Sequence, residues 1–191
     1  MKRSLGPKTV LYPTPVLVVG TYDAEGRPNV STAAWGGICC SRPPCVTVSF
    51  RAATLAHGNI TLKKAFTVNV PAERHVREAD YFGVESGRDA DKLEVAGLTP
   101  VRSVSVDAPY VDEFPLVLEC RVVQVHELGL HTQFIGEIVD VKVEEGCLDE
   151  TGTIDAGRIA PLFYAPVDCH YYGGAKRVAK AFSVGRELKP E

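Results

Sequence analysis

The run Asn29-Val30-Ser31-Thr32-Ala33-Ala34-Trp35-Gly36-Gly37 sets small side chains around one large aromatic. Ser31, Ala33, Ala34, Gly36 and Gly37 allow a backbone to come close to a flat ligand because no bulky group intervenes, as a planar ring system requires. Downstream, Arg51 and Thr54 stand between a strand end and a predicted helix, after Val48-Ser49-Phe50. A fixed positive charge, a hydroxyl and the unpaired N–H groups of a helix amino terminus meet there, which suits a phosphate. A tight barrel corner with a solvated Arg51 would use the same residues. Cys39, Cys40 and Cys45 crowd into seven residues, but adjacent cysteines form only a strained disulfide, and a soft metal would need a fourth ligand from elsewhere. They read as buried, inert thiols with no catalytic role.

The elements that must position these residues follow from periodicity and turn chemistry. Val16–Tyr22 is a β-branched strand, Asp23–Pro28 a turn, and Asn29–Trp35 the returning strand of a hairpin. Gly36-Gly37 is expected to break the pattern, and Ser41-Arg42-Pro43-Pro44 to forbid regular pairing, because two prolines cannot donate ladder hydrogen bonds. Cys45–Phe50 is the next strand. Thr54 caps a helix to about Lys64, and Phe66–Val70 is a strand. Pro71 suits the first turn of a helix to about Phe82, and Asp89 or Asp91 opens another that stops at Gly97. Pro115–His126 alternates until a phase slip at Val122-Val123 that predicts a bulge. Phe134–Val143 alternates again, with Val139, Val141 and Val143 on the face expected to be covered. The fold class expected is mostly β with peripheral helices: an antiparallel barrel or sandwich.

The 191 residues are 45% hydrophobic and 24% charged, a composition that excludes disordered, collagen-like and coiled-coil classes and fits one globular domain over 1–191. A net charge of −3 gives no general attraction to nucleic acid or an anionic membrane. The apolar stretch Val10–Val19 is interrupted by Pro13 and Pro15, no run approaches the ~18 residues that span a bilayer, and a cytoplasmic protein is expected. The six cysteines include no C-x-x-C pair. G-x-G-x-x-G, the P-loop, H-E-x-x-H and G-x-S-x-G motifs are missing, which argues against a Rossmann unit and Walker-type hydrolysis. The five histidines are dispersed, and no metal site is expected.

Taken in order, Tyr12-Pro13-Thr14-Pro15, Asn29–Gly37, Ser41-x-Pro43-Pro44, Val68-Asn69-Val70, Asp91-Lys92 with Ala96-Gly97-Leu98, and Phe114–Cys120 resemble the flavin reductase-like, FMN-binding split-barrel family. Gly129–Ile138 is most similar to its flavoredoxin branch. The resemblance covers roughly Leu11 to Tyr172. It implies a homodimer of split β-barrels, each holding one FMN without a covalent bond near the subunit interface. Ser31, Thr32, Ala33, Ala34 and Trp35 would lie along the ribityl chain and isoalloxazine. Ser49, Arg51 and Thr54 would hold the phosphate, Phe50 would also bind the cofactor, and His57, Asn59, Ile60 and Lys92 would lie close to the flavin, with Lys92 able to reach the phosphate or ribityl oxygens. Read from the residues alone, Asn59 and Lys92 would cap and solubilise helices, and Trp35 would anchor the core.

In such a protein the flavin carries the redox chemistry, so no side-chain nucleophile or acid–base dyad is required. The function expected is electron transfer through FMN, from NAD(P)H or a redox-protein donor. The alternative is a non-catalytic FMN-binding carrier or flavin store.

Overall fold

The computed structural model describes residues 1–188. Twelve strands are β1 (Thr14–Pro15), β2 (Leu17–Tyr22), β3 (Pro28–Ala33), β4 (Gly36–Ser41), β5 (Pro44–Phe50), β6 (Ala65–Val70), β7 (Pro100–Arg102), β8 (Pro109–Val111), β9 (Leu116–Leu128), β10 (His131–Val143), β11 (Phe163–Ala165) and β12 (His170–Tyr172). The α-helices are α1 (Leu55–Lys63), α2 (Val76–Val84), α3 (Lys92–Ala96) and α4 (Ala156–Ile159). The fold is mostly β, as expected.

Seven strands form one antiparallel sheet in the order β3-β2-β6-β9-β10-β5-β4. Its two edges, β3 and β4, are consecutive in the chain and joined only by Ala34 and Trp35. Three residue steps reach at most about 10 Å, so the sheet must curl until its edges nearly meet. Ser49 N–H donates to the Trp35 carbonyl at 2.9 Å, which carries the β4–β5 ladder up to that two-residue joint. The joint of the split barrel is therefore the small-residue run itself.

β2 reads as a continuous apolar run because both of its faces are covered. Leu17 and Val19 point into the barrel with Val48, Phe66 and Phe134. Val16 and Val18 point outward, beneath Ala79 and Phe82 of α2 and Leu93 of α3. Gly20 is required where β2 passes β8: a Cβ there would overlap the Pro109 carbonyl and lie 2.5 Å from Thr67 Oγ1. Gly20→Ala is expected to cost about 1–3 kcal/mol, read as a lower denaturant midpoint.

Thr54 caps α1 by accepting from His57 N–H at 3.3 Å. Asp91 caps α3, and Gly97 ends it at φ 65°. The predicted bulge is present, with Val123 unpaired between the Ile135↔Gln124 and Gly136↔Val122 partners.

Five expectations are corrected. Gly36-Gly37 does not break the chain but begins β4, and Pro44 pairs with Ser41 in the β4–β5 hairpin. An edge strand needs its ladder on one side only, so prolines at the turn are tolerated. The helix predicted from Pro71 starts at Val76 after a 3-10 turn at Glu73–His75, because the Pro71 carbonyl accepts from Leu162 N–H at 3.3 Å instead. A second bulge at Val139 shifts the β10 register, leaving Val139 and Val141 exposed. Cys39 and Cys40 are exposed; of the three clustered thiols only Cys45 is buried. No helix among the described residues is long and apolar enough to cross a membrane.

Candidate cofactor site

β5 ends at Phe50, and the chain turns through Arg51–Thr54 into α1. That turn is closed twice onto the Arg51 carbonyl, by Thr54 N–H and Thr54 Oγ1, each at 3.0 Å. The first N–H groups of α1 have no helical partner by construction and carry the positive end of its dipole. From the other side comes the Glu85–Asp91 connection between α2 and α3. Arg88 Nη1 donates to the Ala53 carbonyl at 2.7 Å and fastens this connection to the turn. Between them lies a cavity of about 320 Å³, lined by Ser31 and Thr32 of β3, by Phe50, Arg51 and Thr54, and by Phe82–Arg88. Two arginines and a helix amino terminus thus line one recess.

Thr32, Gly83 and Val84 also line a second cavity of about 290 Å³. Ala34, Asp80, Tyr164, Cys169 and Tyr171 complete its wall. The two cavities share Thr32, Gly83 and Val84 as a common wall, and each is of a size that takes part of a small organic ligand. Tyr171 donates to Asp80 Oδ1 at 2.9 Å, and Thr32 Oγ1 donates to the Ala79 carbonyl at 2.6 Å. Burial first, and the Asp80 carboxylate second, push the Tyr171 phenol well above its ordinary range.

The predicted residues divide by where the fold sends them. Ser31, Thr32, Phe50, Arg51 and Thr54 line the first cavity, and Ala34 the second. Ala33 is buried in the barrel core, Trp35 is partly exposed at the split, and Ser49 is half-buried beside it. His57 faces the β9–β10 hairpin: its Nε2 lies 2.9 Å from Thr132 Oγ1, which donates to Glu127 Oε2 at 3.1 Å. Because the Thr132 proton goes to Glu127, the His57 Nε2–H must be the donor in that pair. Asn59 is buried and donates to Thr21 Oγ1 at 3.0 Å, and Ile60 is in the barrel core. Neither reaches the cavity.

Lys92 stands behind the wall. Its Nζ donates to the carbonyls of Phe82 and Glu85 at 3.1 Å each, satisfying the carboxyl-terminal end of α2. It lines another recess of about 440 Å³, together with Asp23, Arg27 and Arg88. Burial lowers its pKa to about 8 from 10.5, against the opposing pull of Glu85. The folded value lies below the unfolded one, so between pH 8 and 10.5 the unfolded chain binds the extra proton and stability rises with pH. Lys92→Met is expected to flatten that rise by about 2–3 kcal/mol, measured as urea stability across the window.

Arg88 was not foreseen from sequence. Ser86-Gly87-Arg88-Asp89 reads as a solvated loop, and the cue that it does not float free is structural: a Cβ on Gly87 would overlap Asn29 Oδ1 and meet Leu55 at 3.1 Å.

Residues 9–171 match the family described as the flavin reductase like domain. The chain belongs to that family. Among solved structures of flavin reductase-like proteins, it is similar to the flavoredoxin of Desulfovibrio vulgaris (Miyazaki F), with 51% identity, coverage of 97% of this chain and 100% of that one, and a TM-score of 0.93. It is also similar to an FMN-binding protein from Thermus thermophilus crystallised with 1-cyclohex-2-enone, at 26% identity over 94% and 98% of the chains, TM-score 0.78. Among curated relatives it is 36% identical over 115 residues to an uncharacterized protein of Archaeoglobus fulgidus, covering 60% of this chain and 65% of that protein. It is 31% identical over 149 residues to the high molecular weight rubredoxin of Moorella thermoacetica, covering 77% of this chain and 58% of that protein. The flavin reductase-like region thus accounts for under two thirds of each of these two relatives.

Proposed function

We propose that this chain is an FMN-binding redox flavoprotein that passes electrons through noncovalently held FMN. The observation that carries this reading is the cavity whose wall gathers Arg51, Arg88 and the amino terminus of α1. A phosphate with ~2 negative charges needs such partners in a chain of net negative charge. Ser31 and Thr32 then lie along the ribityl chain, with Ala34, Gly83 and the Tyr164 and Tyr171 side toward the ring. When bound, the isoalloxazine supplies hydride and single-electron chemistry. The protein's own residues hold the phosphate, shape the wall through Thr32 and Gly83, and exclude water through Phe50 and Phe82.

Two donors fit this reading. As an enzyme of the reductase type, the protein takes electrons from NAD(P)H. As a carrier, it takes them from a redox protein, a reading favoured by the relative named a rubredoxin. The purified protein should be yellow, and anaerobic NADH or NADPH should bleach it if it is a reductase. Bleaching only by a reduced redox protein identifies the carrier. Colourless protein that fails to take up added FMN overturns both.

A homodimer is part of the proposal. Ile38, Val123, Val125, Val139 and Val141 leave an apolar surface on β4, β9 and β10 exposed in one subunit, more than a scatter of single residues requires. Cytoplasmic residence is supported by six free cysteines.

A further inference from the structure

The cysteine cluster is not used by the flavin reading, and the fold arranges it more specifically than its sequence suggests. Cys40 on β4 and Cys45 on β5 are direct partners across the hairpin, one step from the Arg42-Pro43 turn. Directly opposed residues of an antiparallel pair have Cα atoms about 4.5–5.5 Å apart, within the span a disulfide bridges. Cys39 falls in the register shift between Ile38 and Cys40 and has no partner on β5. Cys40 is exposed, and its thiol donates to the Arg42 carbonyl at 3.3 Å. Cys45 is buried and faces Cys40 as its register partner. No group of three or more His, Cys, Asp and Glu among the described residues is arranged to hold a metal ion, so the thiols stand as a pair.

The geometry points to Cys40 and Cys45 as a dithiol that a low-molecular-weight disulfide oxidises to a cross-strand bridge. Exposure makes Cys40 the attacking group. Its thiolate takes one sulfur of the small disulfide, the S–S bond of the reagent breaks, and the first small thiolate leaves and is protonated. Cys45 then gives up its proton and attacks Cys40 Sγ, breaking the mixed disulfide and releasing the second small thiol. Two protein thiols are oxidised and one small disulfide is reduced to two thiols. Burial, then the neighbouring thiols of Cys40 and Cys39, push the Cys45 thiol up, which makes its attack the slower of the two steps and one that relies on the mixed disulfide being held beside it. Because the strands are already paired, the bridge forms without rearranging the hairpin. At its other end the same hairpin ladder runs on to the Ser49 N–H and the Trp35 carbonyl, 2.9 Å apart, and β5 leads from there into Phe50 and Arg51 on the cavity wall.

The proposal does not depend on FMN and is tested without it. The full-length protein is incubated under native conditions with oxidised glutathione, then unfolded in denaturant without reductant, blocked with a maleimide, and examined by intact mass and by peptide mapping. Two of the six thiols should be lost to blocking, with the bridge mapped to Cys40–Cys45. Cys39→Ser should give the same bridge. Cys45→Ser should stop at a stable glutathione adduct on Cys40, and Cys40→Ser, a change at an exposed position, should lose the bridge and leave Cys45 unmodified. A bridge through Cys39, or retention of all blocked thiols in the folded wild type, would overturn the assignment.

Discussion

Arg51→Ala is expected to weaken FMN binding by about 10- to 100-fold while changing riboflavin affinity by less than about threefold. The two flavins share the ring and the ribityl chain and differ in the phosphate, so their ratio isolates the contact in question. Arg51 sits where β5 ends, on the cavity wall beside the first turn of α1. A hydrogen bond to a charged group contributes about 1.5–3 kcal/mol, which sets the size of the effect. The loss is not complete because Arg88 remains, and its position is fixed independently by the 2.7 Å bond to the Ala53 carbonyl. Arg88→Ala should show the same selectivity for FMN over riboflavin. Quenching of flavin fluorescence on titration measures both constants, and added salt should narrow the gap between FMN and riboflavin in the wild type. Equal weakening of the two flavins would remove Arg51 from the phosphate.

This site was partly legible because much of it is local in sequence. Ser31 to Thr54 spans β3, β4, β5 and the start of α1, and the turn that brings Arg51 to a helix amino terminus is written in Thr54, a capping residue followed by apolar and small positions. What was not legible depends on packing. Asn59 and Ile60 follow Ala56 at helical spacing on α1, and that spacing turns all three toward the barrel core. Thr54 and Leu55, at the start of the same helix, line the cavity. Arg88 arrives from another part of the chain, and only the close approach at Gly87 shows that its loop is docked. In the fold, the bulge at Val123 could be read because it disturbs a regular alternation, whereas β4 could not: Gly-Gly and Pro-Pro are breakers in a central strand but are accommodated at the edge of this sheet. Val139 and Val141 are exposed where a bulge shifts the β10 register, a shift that the regular alternation of Phe134–Val143 does not announce.

The largest loss of stability is expected from Glu119→Ala, about 3–5 kcal/mol. Glu119 lies in β9 with no exposed surface. Lys142 Nζ on β10 approaches its Oε1 at 2.9 Å, and Ser105 N–H donates to its Oε2 at 3.0 Å. One carboxylate therefore joins β9 to β10 and fastens the Ser103–Ala108 connection against the barrel. Removing it leaves the Ser105 N–H without its acceptor and Lys142 with Asp140 alone, at 2.6 Å. Asp140→Asn is the useful contrast: Asp140 is partly exposed, so its loss should cost under about 1 kcal/mol. The pH dependence separates charge from packing. Burial by itself would raise the Glu119 pKa, but the bonds from Lys142, Ser103 and Ser105 outweigh it and hold the group below 4.5. Since the folded value is the lower one, the contribution is fully present above pH 4.5 and is lost as the pH falls through the folded value. Glu119→Gln keeps the shape and removes the charge, so its unfolding free energy should approach that of the wild type as both are acidified. A constant difference between them from neutral pH to well below 4.5 would show that the carboxylate acts through packing and not through its charge.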